Sequence, residues 1–511
     1  MPSPKVVLSL LSVAAAAVLS LSVSAQFGAN GQPAVAGPIT AKYQADASKI
    51  LTAASSDNDA YTALTYLCDH IGNRNSGTPQ LNTAVQWGAD LMRKAGLENV
   101  MVQPAMVPHW VRGHEEAQIV SPGLNGTPRT LHMLGLGMSV GTPGQGITAP
   151  VVFVHTFDEL DALPPDSIKG KIVVYNPGWH GYGVGSLYRT TGASRAAAKG
   201  AVAMLVRSAT GLVEQTPHTG TLRYDEKQPK IPAAAISPED ALLIERLAKE
   251  GTVTVHLQMD AHQEPDVESG NVIGEIRGSE KPDEVVVVGG HIDSWDVGQG
   301  AQDDGSGIMA AYGAVKLIHD LHLKPKRTLR LVFWVNEENG GAGGRAYRDL
   351  VAKNIDKQVA AIEMDDGAEA PLGIGYTVLA RTPGNRRAPT MQQMMRQGPP
   401  PFNMDALTPE QQQSFQTMQQ IAALLQPIGA GKVFPAGGGS DIGPIVALGV
   451  PSLAPITVAE HYFDWHHTEA DTLDKVNLDD FRKNIALLAV TTYVLADMDG
   501  RLLGTKIPDR E

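Results

Sequence analysis

The sequence predicts an α/β protein with a mixed, mostly parallel sheet flanked by helices and a β-rich region inserted into it. From about residue 268 onward, continuous runs of Val, Leu and Ile alternate with segments of helical spacing, which is typical of parallel strands covered on both faces. Between about residues 131 and 260 the composition changes to short strand candidates rich in Gly, Val and Thr. The length of 511 residues indicates two or three folding units.

Residues 1–25 are predicted to be an export signal. A single Lys precedes an apolar run from Val6 to about Leu21, and Val23-Ser24-Ala25 are small residues of the kind that a signal peptidase reads. No later stretch of the sequence is long and apolar enough to span a bilayer. We therefore expect a secreted or periplasmic protein without a membrane span.

Charge and cysteine content argue against several functions. A formal net charge of -13 leaves no surplus of Lys and Arg to neutralise phosphates, so no nucleic-acid partner is expected. The single cysteine, Cys68, has helical apolar spacing within YTALTYLCDHI and is interpreted as a buried structural thiol, not a nucleophile. No G-x-S-x-G elbow occurs, which disfavours a serine hydrolase.

Three regions follow the predicted signal. Residues 26–130 contain helical patterns such as LNTAVQWGADLMRKAGL and then the short strand candidates LENVMVQPAMV and EEAQIV. Residues 131–262 hold strand candidates such as GKIVVYN and AVAMLVR, and a helix candidate with Ser237 as N-cap and Gly251 at its end. This region has no cluster of metal-ligand residues and is interpreted as non-catalytic. Residues 263–511 alternate the strands DEVVVVGGH, RTLRLVFWVN and VAAIEMD with helices.

Polar side chains follow the predicted strands of this last region. They are His291 and Asp293 after the first strand, Glu337 and Glu338 after the second, Asp365 after the third, Asp303 before a helix, and His467 near the C-terminus. In open α/β sheets, the chemistry gathers outside the carboxyl ends of the strands. Imidazole and carboxylate without thiolate are ligands that zinc accepts in hydrolytic sites. Each residue alone is more often a structural histidine or a helix cap, but their joint occurrence at one edge predicts a metal site.

The motifs GGHIDS, AQDDGSG, VNEENG, EMDDG and HHTEADT resemble, in order, those of a family of two-zinc exopeptidases. This is the family of the leucyl aminopeptidase and plasma glutamate carboxypeptidase (carboxypeptidase Q) type. The middle region, with GKIVVYN, AAAKGAVAMLV and KIPAAAISPEDALLI, resembles the protease-associated domain that some members carry as an insertion. The resemblance extends over nearly the whole chain after the predicted signal.

The resemblance implies a role for each candidate residue. It assigns His291 and Asp365 to one zinc ion, Glu338 and His467 to the other, Asp303 as the bridge, Glu337 as general base, and Asp293 as the carboxylate that orients His291. The neighbouring duplicates Asp304, Asp366, His461 and His466 leave alternatives open, above all for Asp365 and His467. It also implies two Zn²⁺ ions, a peptide substrate and a homodimer.

Several functional alternatives remain at this level. The expected activity is hydrolysis of dipeptides or short peptides by metal-activated water. A broad-specificity aminopeptidase would use the same metal core, a glutaminyl-cyclase-like acyl transferase would use one zinc, and a receptor-like scaffold would lack catalysis. The Pro-rich segment 398–412 is interpreted as a lid, a dimer element or a surface loop, and GGGSDIGPI and Tyr462 as candidates for the substrate pocket.

Overall fold

A computed structural model describes residues 31–377, 402–435 and 437–504 of the chain. The predicted export signal, 1–25, lies outside the described residues, as does the Pro-rich segment up to residue 401. Within the described ranges, no helix is long and apolar enough to cross a membrane.

The N-terminal part supplies helices and one long strand. Its elements are β1 (Gln32–Pro33), α1 (Pro38–Ala54), α2 (Asp59–Tyr66), α3 (Pro79–Lys94) and β2 (Glu98–Val111). Helix α3 begins where the side chain of Thr78 accepts a hydrogen bond from the Leu81 amide, with Pro79 in the first turn. Cys68 is buried, as predicted, and burial raises the pKa of its thiol to about 12.

A second sheet is inserted after β2. Its elements are β3 (Glu115–Leu124), β4 (Thr127–Leu131), β5 (Met133–Gly135), β6 (Ile147–Val154), α4 (Phe157–Ala162), β7 (Ile172–Tyr175), α5 (Tyr182–Ala198), β8 (Ala203–Arg207), β9 (Ala233–Ile236), α6 (Pro238–Glu250) and β10 (Thr254–Met259). The strand order is β4-β3-β10-β6-β7-β8-β9-β5. The sheet thus begins at Glu115, earlier than the expected boundary at residue 131. Helix α6 is capped by Ser237, as predicted.

The C-terminal part completes the first sheet. Its elements are β11 (His262–Ile276), β12 (Lys281–His291), α7 (Ser306–Asp320), β13 (Arg327–Trp334), α8 (Ala342–Val351), β14 (Gln358–Glu363), β15 (Pro371–Tyr376), α9 (Pro409–Ala423), β16 (Lys432–Phe434), α10 (Gly443–Val446), β17 (Ser452–Thr457), α11 (Tyr462–Trp465) and α12 (Leu478–Asp497). The order is β1-β16-β15-β17-β14-β12-β13-β11-β2. Strand β12 is parallel to β13 and β14, whereas β11 is antiparallel to β13. The predicted mixed sheet is confirmed, but four of its eight strand pairings are parallel and four antiparallel, so the expectation of a mostly parallel sheet is not.

The run of valines in β12 is explained by burial on both faces of the sheet. Val286 and Val288 belong to the main core, which also contains the buried faces of α7 and α12. Val287 faces the opposite side and packs in a smaller core with Tyr347 of α8 and Ile445 of α10. Strands covered on both faces read as continuous apolar runs because neither side of the strand meets water.

Candidate metal centre

The parallel strands bring the candidate residues to one edge of the sheet. His291 is the last residue of β12, Glu338 follows β13, and Asp365 follows β14. Since these strands are parallel neighbours, their carboxyl ends point the same way. Asp303 lies in the short turn that leads into α7, and His467 follows α11. The five side chains therefore approach one another from separate elements.

The five side chains form two groups that share Asp303. Nε2 of His291 lies 3.2 Å from Oδ1 of Asp303 and 3.1 Å from Oδ1 of Asp365. Nε2 of His467 lies 3.2 Å from Oδ2 of Asp303 and 3.0 Å from Oε2 of Glu338. Each oxygen of Asp303 thus faces a different imidazole. The arrangement offers two adjacent cation positions with one carboxylate between them.

The duplicated residues beside these positions have different surroundings. The carboxylate of Asp304 accepts hydrogen bonds from the backbone amides of His291 and Gly307, at 2.9 and 3.1 Å. Both of its oxygens are therefore already bonded to the backbone. His466 comes within 3.4 Å of Oδ2 of Asp303 and stacks on His467 with 3.6 Å between ring centres. His461 is exposed and bonds to Asp464 at 3.0 Å, away from the shared carboxylate.

The structure gives Asp293 a different contact from the one expected. Nδ1 of His291 lies 2.9 Å from the backbone carbonyl oxygen of Asp293, whereas the nearest carboxylate oxygen is 3.7 Å away. The carboxylate instead accepts hydrogen bonds from the amides of Glu337 and Glu338, at 3.1 and 3.3 Å. The carbonyl of Asp293 therefore orients the imidazole, and its carboxylate fixes the loop that carries both glutamates.

Asp471, part of the HHTEADT motif, fixes Asp303 in a similar way. Its carboxylate accepts hydrogen bonds from the amides of Gln302 and Asp303, at 2.7 and 3.1 Å. The sequence offered Asp471 only as a member of a motif. Its contact requires the C-terminal loop to lie against the turn before α7, which no local pattern predicts.

Burial and mutual charge shift the pKa values of the clustered acids. Burial and the neighbouring charge of Asp303 raise the pKa of Glu338 to about 7. Burial also raises the pKa of Asp365 well above its usual range. Burial disfavours the charged carboxylate of Asp303, but the adjacent imidazoles together favour it by more, so its pKa lies well below its usual range. So many buried acids are stabilised most directly by cations placed among them.

Two buried carboxylate oxygens in the cluster lack a hydrogen bond within the described ranges, as expected of atoms that bind a cation. Oε1 of Glu338 and Oδ2 of Asp303 are buried and accept no hydrogen bond from the described residues, although Nε2 of His467 lies 3.2 Å from Oδ2. Buried acceptors without a donor are costly unless a metal ion supplies the missing partner. The donor set of imidazole nitrogens and carboxylate oxygens therefore fits divalent metal ions such as zinc.

The cluster opens into a large cavity between the two sheets. The cavity has a volume of about 1170 Å³ and is lined by Asp303, Glu338, Asp365 and His467, together with Glu337. Glu337 is half-buried and shares this space with the four ligand candidates. A carboxylate in this position can reach a water or a substrate held beside the cluster.

The inserted region contacts the loop that carries His466 and His467 through the backbone of Thr219 and the side chain of His218. The amide of Thr219 donates to the carbonyl of His467 at 2.9 Å, and Nδ1 of His467 donates to the carbonyl of Thr219 at 3.3 Å. Nδ1 of His218 donates to the carbonyl of His466 at 2.8 Å. The interpretation of this region as non-catalytic missed these contacts, because Thr219 contributes only backbone groups, which leave no trace in residue types, and His218 belongs to no cluster with ligand spacing.

An α/β sheet with a shared-carboxylate cluster outside the carboxyl ends of its strands is typical of a metal-dependent hydrolase. The model of peptidase family M28 matches residues 271–492, and that of the PA domain matches residues 147–244. Carboxypeptidase Q of Mus musculus is 39% identical over 446 residues, which cover 87% of each chain.

Solved structures agree with this class. The crystal structure of a peptidase M28 precursor from Shewanella amazonensis SB2B has a TM-score of 0.80 and 32% identity, and the match covers 92% of this chain and 100% of that one. The structure of a zinc aminopeptidase from Bacillus subtilis has a TM-score of 0.61 and 21% identity. The match covers 88% of this chain and 97% of that one, and the two share the fold. The chain belongs to peptidase family M28 and carries a PA domain.

Proposed function

We propose that the chain is an exported di-zinc exopeptidase that hydrolyses dipeptides or short peptides. One observation supports this most strongly: the two oxygens of Asp303 face the Nε2 atoms of His291 and His467, 3.2 Å away in each case. The high identity to carboxypeptidase Q favours this activity over a broad-specificity aminopeptidase. Export is supported by the pattern of residues 1–25, and a homodimer is part of the same proposal.

The proposed ligand sets follow the two halves of the cluster. His291 and Asp365 hold one zinc ion, Glu338 and His467 hold the other, and Asp303 bridges them. His467 is favoured over His466 because it alone of the two contacts both Asp303 and Glu338 among the ion pairs of the described residues. Zinc is favoured because imidazole and carboxylate ligands without thiolate are typical of its hydrolytic sites.

The residues of the chain divide the hydrolysis between them. When bound, a pair of divalent ions polarises the scissile carbonyl and acidifies the attacking water. Glu337 takes the proton of that water and delivers it to the amine that leaves. The carboxylate of Asp293 holds the Glu337 amide at 3.1 Å and so keeps the base beside the cluster. His291 is held in the tautomer that presents Nε2 to the ion, because Nδ1 donates to the carbonyl of Asp293.

Metal content and substrate choice test the proposal together. The chain without residues 1–25 is purified, its zinc is measured by elemental analysis, and free dipeptides are compared with N-acetylated dipeptides and amino-acid chromogenic amides. We expect two zinc equivalents and preferential cleavage of the free dipeptides. One zinc equivalent would instead support an acyl transferase. Preferential cleavage of the chromogenic amides would support an aminopeptidase. Full metal without any hydrolysis would indicate a binding scaffold.

The variant Asp303→Ala is the matched test of the bridge. Because it removes the carboxylate common to both ion positions, we expect it to lose zinc and activity together. Retention of two equivalents would contradict the role of Asp303. The control is Asp464→Ala, which removes a carboxylate that bonds to the exposed His461. It should keep both ions.

A further inference from the structure

Arg189 is a buried cation at the edge of the catalytic cavity. It lies on α5 of the inserted region, its exposed fraction is 8%, and it lines the same cavity as Glu337 and Glu338. The other cationic residues that line this cavity are exposed; they are Arg223, Lys230 and Arg345. Arg189 therefore differs from them in being withdrawn from water.

No carboxylate of the described residues forms an ion pair with Arg189. Its Nη1 donates to the carbonyl of Thr219 at 3.2 Å, and its Nη2 donates to the hydroxyl of Tyr182 at 2.9 Å. Nε is buried and has no partner within the part of the chain that the structure describes. A buried guanidinium held by neutral acceptors, with a donor to spare, is poised to receive an anion.

The surroundings of Arg189 are shaped to hold the guanidinium. Gly220 has a φ of +131°, and a Cβ at this position would lie 2.3 Å from the guanidinium carbon and from Nη1. The centre of the Tyr182 ring lies 5.4 Å from the guanidinium carbon. Nη1 also lies 3.4 Å from Nδ1 of His467. The inserted region thus places one fixed positive charge beside a metal-ligand candidate.

We propose that Arg189 binds the free α-carboxylate of the substrate, an inference that rests on the proposed function. A guanidinium pairs with a carboxylate through two parallel hydrogen bonds, which fixes both position and orientation. In a dipeptide, the α-carboxylate carbon is separated from the nitrogen of the scissile bond by one Cα and lies about 2.5 Å from it. The width of the His467 imidazole separates Arg189 from Glu338 and Asp303. A substrate anchored on Arg189 therefore presents its only peptide bond to the catalytic cluster.

The test compares a dipeptide with its C-terminal amide. Values of kcat and KM are measured for the wild type, Arg189→Gln and Arg223→Gln, with zinc content determined for each. For Arg189→Gln we expect kcat/KM for the free acid to fall about 100-fold, because a buried recognition contact is lost. The amide should change less than about threefold. Arg223→Gln removes an exposed cation of the same cavity. It should change kcat/KM for either substrate by less than about threefold.

The alternatives give distinct outcomes. An equal loss on acid and amide, or a loss of zinc, would mean that Arg189 supports His467 and does not bind the substrate. Equal cleavage of acid and amide by the wild type would also overturn the inference while leaving the exopeptidase intact. If the wild type cleaves neither, the proposed function fails first. Arg189→Lys keeps the charge without the paired donors, so a selective loss of about 10-fold on the acid is expected even if Arg189→Gln folds poorly.

Discussion

At the residue scale, each function in the site depends on which atom of a side chain or backbone is used. Asp303 contributes both of its oxygens to the cluster, whereas both oxygens of the adjacent Asp304 accept backbone amides. Neighbouring carboxylates in a turn point in different directions, so one can bind a cation while the other holds the turn together. Glu338 and Glu337 also differ: the carboxylate of Glu338 contacts His467, whereas Glu337 is half-buried and lines the cavity.

The variant Glu337→Gln tests the proposed general base. Its amide cannot take a proton from water, so we expect kcat to fall by about two to four decades while both zinc ions are retained. Steady-state kinetics and elemental analysis of the same preparation measure the two effects. Near-wild-type turnover would contradict the assignment. Gln263→Ala, a change of another residue that lines the cavity, serves as the control for general disturbance of the site.

The sequence predicts the residue types of the site better than the atoms that make each contact. His291, Glu338 and Asp365 could be identified because each follows an apolar strand whose parallel neighbours end at the same edge. The choice of Asp303 over Asp304 came only from the resemblance to a family. The carbonyl of Asp293, which contacts His291, could not be predicted, because backbone groups are common to every residue.

At the scale of elements, the inserted region is joined to the loop that carries His466 and His467 by one backbone hydrogen bond and by two bonds that imidazole nitrogens donate to carbonyls. Thr219 exchanges two hydrogen bonds with His467, and His218 donates to the next carbonyl back. Burial lowers the pKa of His218 to about 3, so its ring is neutral at the pH of any ordinary assay. This side chain acts as a plain hydrogen-bond donor between the two sheets.

His218→Ala is expected to weaken zinc binding without abolishing folding. The variant frees the carbonyl of His466, so the loop that carries His467 loses one of its fixed contacts. Loss of such outer contacts typically costs 10–100-fold in metal affinity. Titration with a competing chelator measures the change. His262→Ala alters an exposed histidine that lines the same cavity and should leave the affinity unchanged; an equal effect of both variants would refute the role of His218.

Long strands and domain boundaries were the elements least predictable from sequence. Strand β2 extends over Glu98–Val111 although it contains Pro104 and Pro108. The two prolines are tolerated because β2 is the edge strand of its sheet and pairs only with β11, so one side of its backbone needs no hydrogen-bond partner. The strands β3 and β4 join the inserted sheet through β10, which lies far along the chain. Such pairing depends on tertiary contact and leaves only a weak local pattern.

At the scale of the whole molecule, the catalytic cavity depends on both sheets. Arg112, in the connection between β2 and β3, forms an ion pair with Asp296 at 2.6 Å and donates to the carbonyl of Gly135 at 2.6 Å. Asp296 belongs to the loop between His291 and Asp303. The inserted sheet is thus tied to the loop that connects two metal-ligand candidates. Metal binding and the stability of the sheet contact should therefore be coupled.

Removal of metal by a chelator is expected to lower the melting temperature by roughly 5–10 °C. Ions that bind only the folded state add about 3–4 kcal/mol when their concentration exceeds Kd by two to three decades, and this stabilisation is lost with them. The acids Glu338, which is buried, and Asp365, which is half-buried, are then left without cations, which adds to the loss. Scanning calorimetry before and after chelation, and after zinc is restored, measures the shift. The variant Asp303→Ala should melt near the chelated temperature and gain nothing from added zinc, whereas an unchanged melting temperature in the chelated wild type would show that the cluster is stable without ions.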